Sequence, residues 1–239
     1  MTAQMTFQRY EIKYLLTKQD KEQIQLAMIP YMVPDQHGKT TIRNIYFDTQ
    51  DYRLIRRSIE KPVYKEKLRI RSYRPAQMEE PIFVEIKKKY KAVVYKRRIS
   101  ISQKQAVDSL RQGAPLPVRS QIAEEINYFR WYYGKLQPTV FLSYERQAFS
   151  ERGAADLRIT FDENILYRKE DFFLGGDIYG TSLLDQDQVL MEIKTTGGIP
   201  LWLTHLLTQQ HLFKTSFSKY GAAYLHMIGG MKKGRFYYE

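Results

Sequence analysis

Alternating cations mark the segment YKEKLRIRSY, residues 64–73 of this 239-residue chain. Successive side chains of a β-strand point to opposite faces, so four cations would share one face of this strand and two apolar residues the other. The cations are Lys65, Lys67, Arg69 and Arg71, and the apolar residues are Leu68 and Ile70. Like charges in a row repel one another, and guanidinium and ammonium groups are suited to phosphate oxygens. A polyanion held against this face would neutralise these charges.

Other segments that read as strands repeat this arrangement. The string Glu-Ile-Lys occurs at residues 11–13, 85–87 and 192–194, and each copy puts an acid and a base on one face. Three more segments alternate in the same way, with Lys96 and Arg98, Tyr144 and Arg146, and Arg158, Thr160 and Asp162. For a single strand, an ordinary solvated sheet face explains such a pattern. Across eight strands that explanation is weaker, because like charges directly opposite one another destabilise strand pairing.

Carboxylates stand among these cations. They are Glu11, Glu85 and Glu192, with Asp162 as a fourth candidate. Mg²⁺ and Mn²⁺ prefer oxygen ligands and commonly bridge carboxylates to substrate phosphates, so the sequence predicts a divalent metal here. The alternative is that these acids are cross-strand partners of neighbouring cations, which is an ordinary role for acids in a sheet.

The composition limits the class of protein and of partner. A net charge of +12 and a pI of about 9.6 favour anionic partners. The absence of cysteine excludes disulfides and thiol catalysis, and it fits a cytoplasmic location, which we expect. No stretch approaches the roughly 18 uninterrupted apolar residues of a membrane span, so we expect no integral membrane segment.

Eight strands and several helices can be read along the chain. The strands are predicted at 5–17, 40–49, 64–74, 79–90, 92–101, 138–149, 155–168 and 188–196. Their close succession predicts an antiparallel α+β fold. Eight antiparallel strands are about the number that closes into a barrel able to hold a small ligand. We therefore expect one domain over 1–239, an eight-stranded barrel or tunnel with charged faces inward and helices outside, and a flexible basic tail at 230–239.

The order of these motifs resembles a known family. Nine motifs in sequence order, from about residue 6 to 227, are similar to the catalytic domain of the vacuolar transporter chaperone (VTC) family, within the triphosphate tunnel metalloenzyme (CYTH-like) superfamily. They are RYEIKYLL, IYFDT, LRIRSY, FVEIKKKY, YKRR, SYERQAF, LRITFDENI, LMEIKTTG and FSKYGAAY. The resemblance implies a polyphosphate polymerase that transfers the γ-phosphate of ATP to a growing chain, releases ADP and uses Mn²⁺ or Mg²⁺.

The resemblance also implies roles for individual residues. Those expected to hold the reacting triphosphate are Arg69, Arg71, Lys87, Arg146 and Arg158. Those expected to bind substrate elsewhere are Lys13, Lys65, Lys67, Lys96, Arg98, Tyr144, Lys194, Ser218 and Lys219. Glu192 is expected to bind the metal, together with Glu11 or Glu85. The expected partners are ATP and polyphosphate or triphosphate, with no specific nucleic acid.

Two other functions stay open at this point. The first is hydrolysis of tripolyphosphate or nucleoside triphosphates on the same fold. Related hydrolases typically begin with Glu-x-Glu-x-Lys, whereas this chain has Arg9 in the first position, which favours a more basic site. The second is a non-enzymatic protein that binds RNA or polyphosphate, since 19 Tyr and 12 Phe include enough aromatic rings for base stacking. Ser218 also reads as an ordinary helix N-cap.

Overall fold

The structure, a computed structural model, describes residues 7–91, 93–153 and 156–229. The strands there are β1 (Phe7–Thr17), β2 (Met32–Pro34), β3 (Thr40–Asp48), β4 (Tyr64–Ser72), β5 (Pro81–Tyr90), β6 (Val93–Ser102), β7 (Gln137–Glu151), β8 (Leu157–Arg168), β9 (Thr181–Ser182) and β10 (Gln188–Thr195). The eight long strands are the eight predicted ones. The two additional strands, β2 and β9, have three and two residues, too few for an alternating pattern to reveal.

The described residues also contain helices between and after these strands. They are α1 (Lys18–Met28), α2 (Arg53–Ile59), α3 (Gln103–Gln112), α4 (Gln121–Tyr133), α5 (Leu201–Gln209) and α6 (Lys219–Met227). Thr17 and Asp20 form a capping box at the start of α1, which satisfies backbone N–H groups that a helix terminus leaves unpaired. Gly113 ends α3 with φ of 85°, a left-handed conformation that glycine adopts without steric cost. Of the helices in the described part of the chain, none has the length and apolar character needed to span a bilayer.

The described residues form two compact units. The first unit contains residues 7–8, Ile42–Ser143 and Leu166–Thr181, and the second contains Arg9–Thr41, Tyr144–Ile165 and residues 182–229. Whether they act as a single domain over 1–239 stays a prediction. The basic tail predicted at 230–239 lies outside the described residues.

In the first unit, β4, β5 and β6 form an antiparallel meander next to β3. Its apolar face includes Leu68, Val84 and Ile99, which pack against Leu110 of α3 and Phe129 of α4 in one core. Because side chains alternate along each strand, the charged residues of β4 to β6 lie on the opposite face. Helices α3 and α4 therefore cover the apolar face of the meander and do not cover its cationic face.

In the second unit, β10 pairs antiparallel with both β1 and β8, and β8 also neighbours β7. Ile159, Met191 and Ile193 pack with Ile24 of α1 and Leu203 of α5 in a second core. Here too the apolar residues of the strands face helices, and the alternating charged residues take the other face. Helices therefore cover the apolar faces in each unit, as the sequence predicts.

Candidate functional site

Three lysines stand directly opposite one another on adjacent strands of the first unit. Lys67 of β4 pairs in register with Lys87 of β5, and Lys87 pairs with Lys96 of β6. One step along, Lys65 of β4 pairs with Lys89 of β5. The side chains in these rows are partly buried. The lysine row (Lys67, Lys87 and Lys96) therefore concentrates positive charge on one face of the sheet, which favours an anion at this place.

Next to this row lies the Glu85 cluster, formed by Glu85, Arg69, Arg71, Lys96 and Tyr46. Arg69 donates to Glu85 Oε2 from Nε at 2.9 Å and from Nη2 at 2.7 Å, and to the Tyr46 hydroxyl from Nη1 at 2.9 Å. Arg71 Nε lies 3.9 Å from Glu85 Oε2, and Lys96 Nζ lies 3.7 Å from Glu85 Oε1. One fully buried carboxylate thus faces three cations.

The electrostatics of the Glu85 cluster are dominated by its cations. Burial alone would raise the pKa of Glu85, but Arg71, Arg69 and Lys96 lower it well below its usual range. Burial would likewise raise the pKa of the Tyr46 hydroxyl, yet Arg69 and Arg71 lower it. A tyrosine whose pKa falls despite burial reports a positive local potential. The cluster therefore retains excess positive charge after Glu85 has been counted.

Two more residues predicted to bind substrate in this unit already have protein contacts. Lys65 donates from Nζ to the carbonyl oxygen of Ser58, at the end of α2, at 3.1 Å. The Arg98 guanidinium lies 4.2 Å from the centroid of the Phe83 ring, a cation–π contact. Arg98 is the register partner of Glu85, so it sits on the strand face that carries the cluster.

The second unit contains an analogous group, the Glu192 cluster, formed by Glu192, Asp162, Lys13, Arg146, Lys194 and Lys219. Arg146 binds both oxygens of Asp162 at 2.6 Å, through Nε and Nη2. Lys219 Nζ lies 2.5 Å from Asp162 Oδ2 and 3.0 Å from Glu192 Oε1. Lys194 Nζ lies 3.0 Å from Glu192 Oε2, and Lys13 Nζ lies 3.8 Å from Oε1. Four cations surround two carboxylates.

Tyr144 forms one side of this cluster. The Arg146 guanidinium lies 5.1 Å from the centroid of its ring and the Lys219 ammonium 4.6 Å from it, so two cations rest on one aromatic ring. Burial would raise the pKa of Glu192, but Lys219, Lys194 and Lys13 hold it well below its usual range. For Lys194 burial prevails over the attraction of Glu192 and lowers the pKa to about 8. Lys194 is therefore the residue among Arg146, Lys194 and Lys219 whose pKa lies near physiological pH.

Three more predicted residues of the second unit have contacts of their own, and two of them, Glu11 and Arg158, are register partners of Lys194. Arg158 donates from Nη2 to Asp35 Oδ2 at 2.8 Å, so its guanidinium is engaged by the residue after β2. Ser218 accepts a hydrogen bond from the Gly221 backbone N–H at 3.1 Å and is the N-cap of α6. Glu11 is the register partner of Lys194 and is partly buried. The cap role of Ser218 is the ordinary alternative that its sequence context allowed.

Sequence reasoning gave no role to two side chains of the Glu85 cluster and its surroundings. Asn44 accepts from Arg71 Nε at 2.8 Å, and Tyr46 accepts from Arg69. Asn44, Tyr46 and Asp48 alternate along β3, so their shared face can be read from the sequence. None of the three is a cation, however, and a search for rows of cations therefore does not find them. Asp162 was named only as a fourth candidate carboxylate, and the structure makes it the main partner of Arg146.

The carboxylates partly fit the metal that the resemblance implies. Among the described residues, no three Asp, Glu or His side chains come together as a ligand set. Asp162 and Glu192 both contact the Lys219 ammonium, so their oxygens converge on one point. Mg²⁺ is usually held by one or two carboxylates together with substrate phosphates and water, and this pair offers that number of oxygen donors. Glu85 belongs to the other unit and is bound by Arg69.

The chain is similar to one protein family and to several solved structures. A family model described as the VTC domain matches residues 8–228. A Bacillus halodurans protein provisionally called an adenylate cyclase is 16% identical, with a TM-score of 0.58 over 90% of this chain and 96% of its own. A Hippeastrum protein provisionally called an adenylyl cyclase, and described as having a dominant triphosphatase activity, is 14% identical, with a TM-score of 0.56 over 96% of this chain and 99% of its own. No curated protein matches the chain significantly. At these identities the structural likeness shows the fold alone, and it confirms the tunnel-type α+β fold class.

Proposed function

The chain belongs to the VTC domain family, and on that premise we propose that it is a metal-dependent polyphosphate polymerase. It would transfer the γ-phosphate of ATP to the end of a polyphosphate chain and release ADP. The observation that carries the proposal is the register of Lys67, Lys87 and Lys96, which places three ammonium groups opposite one another beside the Glu85 cluster. Such a row of positive charges favours the binding of a chain of phosphates.

Binding in this proposal uses the two clusters in the same way. The guanidinium groups of Arg69 and Arg71 bind phosphate oxygens of the triphosphate, and Lys87 adds a point charge. In the second unit Arg146 binds phosphate oxygens, while Lys13, Lys194 and Lys219 supply ammonium groups. Asp162 fixes the plane of the Arg146 guanidinium through two hydrogen bonds of 2.6 Å, and Glu85 does the same for Arg69 through two shorter than 3 Å. Arg158 would exchange Asp35 for a phosphate oxygen.

The chemical step needs no general base. A terminal oxygen of the polyphosphate chain attacks the γ-phosphorus of ATP and forms a new P–O–P bond. The bond from the γ-phosphorus to the bridging oxygen of the β-phosphate breaks, and its electron pair leaves with ADP. The attacking oxygen is already an anion near neutral pH, so the residues contribute position and cancellation of charge.

Glu192 and Asp162 are the residues that would hold Mn²⁺ or Mg²⁺ in this proposal. When bound, the cation supplies further neutralisation of the phosphate oxygens. Lys219 Nζ lies within 3.0 Å of both carboxylates, so the Lys219 ammonium group would have to move away from them when a metal ion binds there. A Glu192→Gln variant should therefore respond less to added Mn²⁺ than the wild type, and an unchanged metal response would exclude this ligand.

Purified protein incubated with ATP and Mn²⁺ tests the function. We expect polyphosphate that lengthens with time on a gel, with one ADP released for each phosphate added. Release of orthophosphate without chain growth would instead identify a triphosphatase, the activity described for the Hippeastrum protein. Binding of RNA or polyphosphate with no turnover and no effect of metal would identify a non-enzymatic polyanion-binding protein.

A further inference from the structure

Three buried side chains on adjacent strands of the first unit each have a polar atom without a hydrogen-bond partner. Within the described residues, Arg43 Nε, Ser72 Oγ and Ser143 Oγ are all inaccessible and all lack a partner. Their residues are 8%, 4% and 0% exposed. Buried polar atoms are nearly always hydrogen-bonded, to protein or to a bound molecule, so three together call for an explanation.

The three side chains belong to adjacent strands and share one face. Arg43 of β3 pairs in register with Ser72 of β4, and β3 also neighbours β7, which carries Ser143. Arg43 is two residues from Ile45 and Ser143 two residues from Phe141, and both of these apolar residues belong to the core packed against α3 and α4. By alternation, this polar row therefore lies on the core face, opposite to the Glu85 cluster.

A second arginine adds to the positive charge at this place. The Arg168 guanidinium lies 3.6 Å from the centroid of the Phe141 ring and donates to four backbone carbonyl oxygens, those of Glu170, Asp171, Asp177 and Tyr179. Burial lowers the pKa of Arg43, and the charge of Arg168 lowers it further. Within the described part of the chain, no carboxylate forms an ion pair with Arg43.

Water alone would satisfy the two hydroxyls but would leave the charge uncompensated. A buried charge is normally paired, because transfer of an unpaired ion from water costs several kcal/mol even after relaxation of the protein. An oxyanion has oxygen atoms that accept hydrogen bonds from the two hydroxyls, and its negative charge pairs with the guanidinium. Arginine forks bind phosphate oxygens in pairs, which suits a tetrahedral anion.

We propose that Arg43, Ser72 and Ser143 form a second anion site, which takes a small tetrahedral oxyanion of the phosphate class on the core face of the sheet. Its ligand is a free phosphate ion, because an arginine that is 8% exposed leaves only a small opening for anything larger. The site is separate from the Glu85 and Glu192 clusters and stands whether or not the chain makes polyphosphate.

Calorimetric titration with inorganic phosphate tests the site, in metal-free buffer of constant ionic strength. Saturating tripolyphosphate is included so that the two clusters are already occupied. We expect the wild type to bind one further phosphate and Arg43→Gln to bind it at least tenfold more weakly. The matched control is Arg56→Gln, an exposed arginine of α2, which should bind like the wild type.

Ser72→Ala and Ser143→Ala keep the proposal testable if Arg43→Gln does not fold. Each removes one hydroxyl donor and should weaken phosphate binding several-fold, while the circular dichroism spectrum stays unchanged. AMP, which carries a phosphate group on a larger molecule, should not compete. Equal phosphate binding by the wild type and the folded variants, absence of binding to the wild type, or full competition by AMP would each overturn the proposal.

Discussion

Arg69 donates two hydrogen bonds to a single oxygen of Glu85, from Nε and Nη2, and its remaining nitrogen donates to the hydroxyl of Tyr46. The other oxygen of Glu85 is buried and has no hydrogen-bond partner among the described residues, although Lys96 Nζ lies 3.7 Å away. Within the described part of the chain, all three nitrogens of the Arg69 guanidinium are therefore hydrogen-bonded, whereas only one of the two Glu85 oxygens is. Glu85 orients the cations of its cluster and leaves their charge in excess.

Replacing Arg69 and Arg71 together by Ala should abolish polymerase activity. Each presents a guanidinium to the phosphates in the proposed function, and removal of one preorganised donor to a developing charge typically costs about 10²–10³-fold in kcat. The control is Arg56→Ala with Arg57→Ala, two exposed arginines of α2. Activity is measured as ADP release and folding by circular dichroism. Full activity in a folded Arg69/Arg71 variant would contradict the assignment.

Replacing Glu85 by Gln should destabilise the protein near neutral pH and flatten its stability profile in acid. Since Arg71, Arg69 and Lys96 depress the pKa of Glu85, its contribution to stability is present above the ordinary glutamate pKa of 4.5 and is lost as the pH falls toward the folded pKa. Removing one partner of a buried ion pair costs about 3–5 kcal/mol. Urea unfolding at pH 7 and pH 3 measures both effects.

The same Glu85→Gln variant should gain more stability from added phosphate than the wild type, because its three cations then lack the negative charge of Glu85. Glu124→Gln, an exposed position on α4, is the control and should match the wild type at both pH values. A Glu85→Gln protein that unfolds like the wild type would show that this carboxylate does not hold the cluster together.

Binding of tripolyphosphate should weaken as the pH rises through about 8, because the pKa of Lys194 is lowered to about 8 and its ammonium group is then lost. A bound anion favours the protonated amine, so the midpoint in the complex should lie higher than in the free protein. Lys194→Arg keeps a positive charge throughout this range and should flatten the profile. Titrations between pH 6.5 and 9.5 measure the dissociation constants, and identical profiles for both proteins would exclude Lys194 as the titrating group.

The free energy of unfolding of the ligand-free protein should rise with pH in this range, whereas the affinity for tripolyphosphate should fall. The lowered pKa means that the unfolded chain binds more protons at Lys194 between about pH 8 and its ordinary value of 10.5. The free energy of unfolding from this residue therefore rises with pH in that window. Lys194→Met removes the titration and should remove this part of the slope.

Replacing Lys87 by Gln should lower affinity for polyphosphate and make that affinity less dependent on salt. Lys87 lies between Lys67 and Lys96 in register, so the change takes one positive charge from the middle of the lysine row. Salt screens the attraction between exposed charges and phosphates, so a site with one charge fewer should lose less affinity as salt is added. Lys88→Gln is the matched control, since Lys88 points to the other face and pairs with Glu125 at 3.3 Å. Calorimetric titrations at low and high salt measure the dissociation constants, and equal affinities for the two variants would contradict a role for the lysine row in binding.

The sequence predicted on which face of its strand each cation lies, but it did not predict which carboxylate forms an ion pair with that cation. Alternation within β4 is a local property, and it placed Lys67, Arg69 and Arg71 together correctly. The contact of Lys13 with Glu192 depends on the pairing of β1 with β10, whose register residues are about 180 positions apart in the chain. Strand order and register arise from tertiary packing, so the Arg158–Asp35 and Arg146–Asp162 pairs had no local signal.

The carboxylates at the centre of the two clusters have a further consequence for recognition. Arg69 and Arg146 are each held by paired hydrogen bonds before any ligand arrives, so their long side chains have already lost most of their rotamer freedom. Binding should then show little entropic penalty from side-chain ordering, and most of its heat should come from exchange of water for phosphate oxygens. In the proposed function, Glu85 and Asp162 would occupy the place of the anion while no ligand is bound and would hold Arg69 and Arg146 in the conformation that binds it.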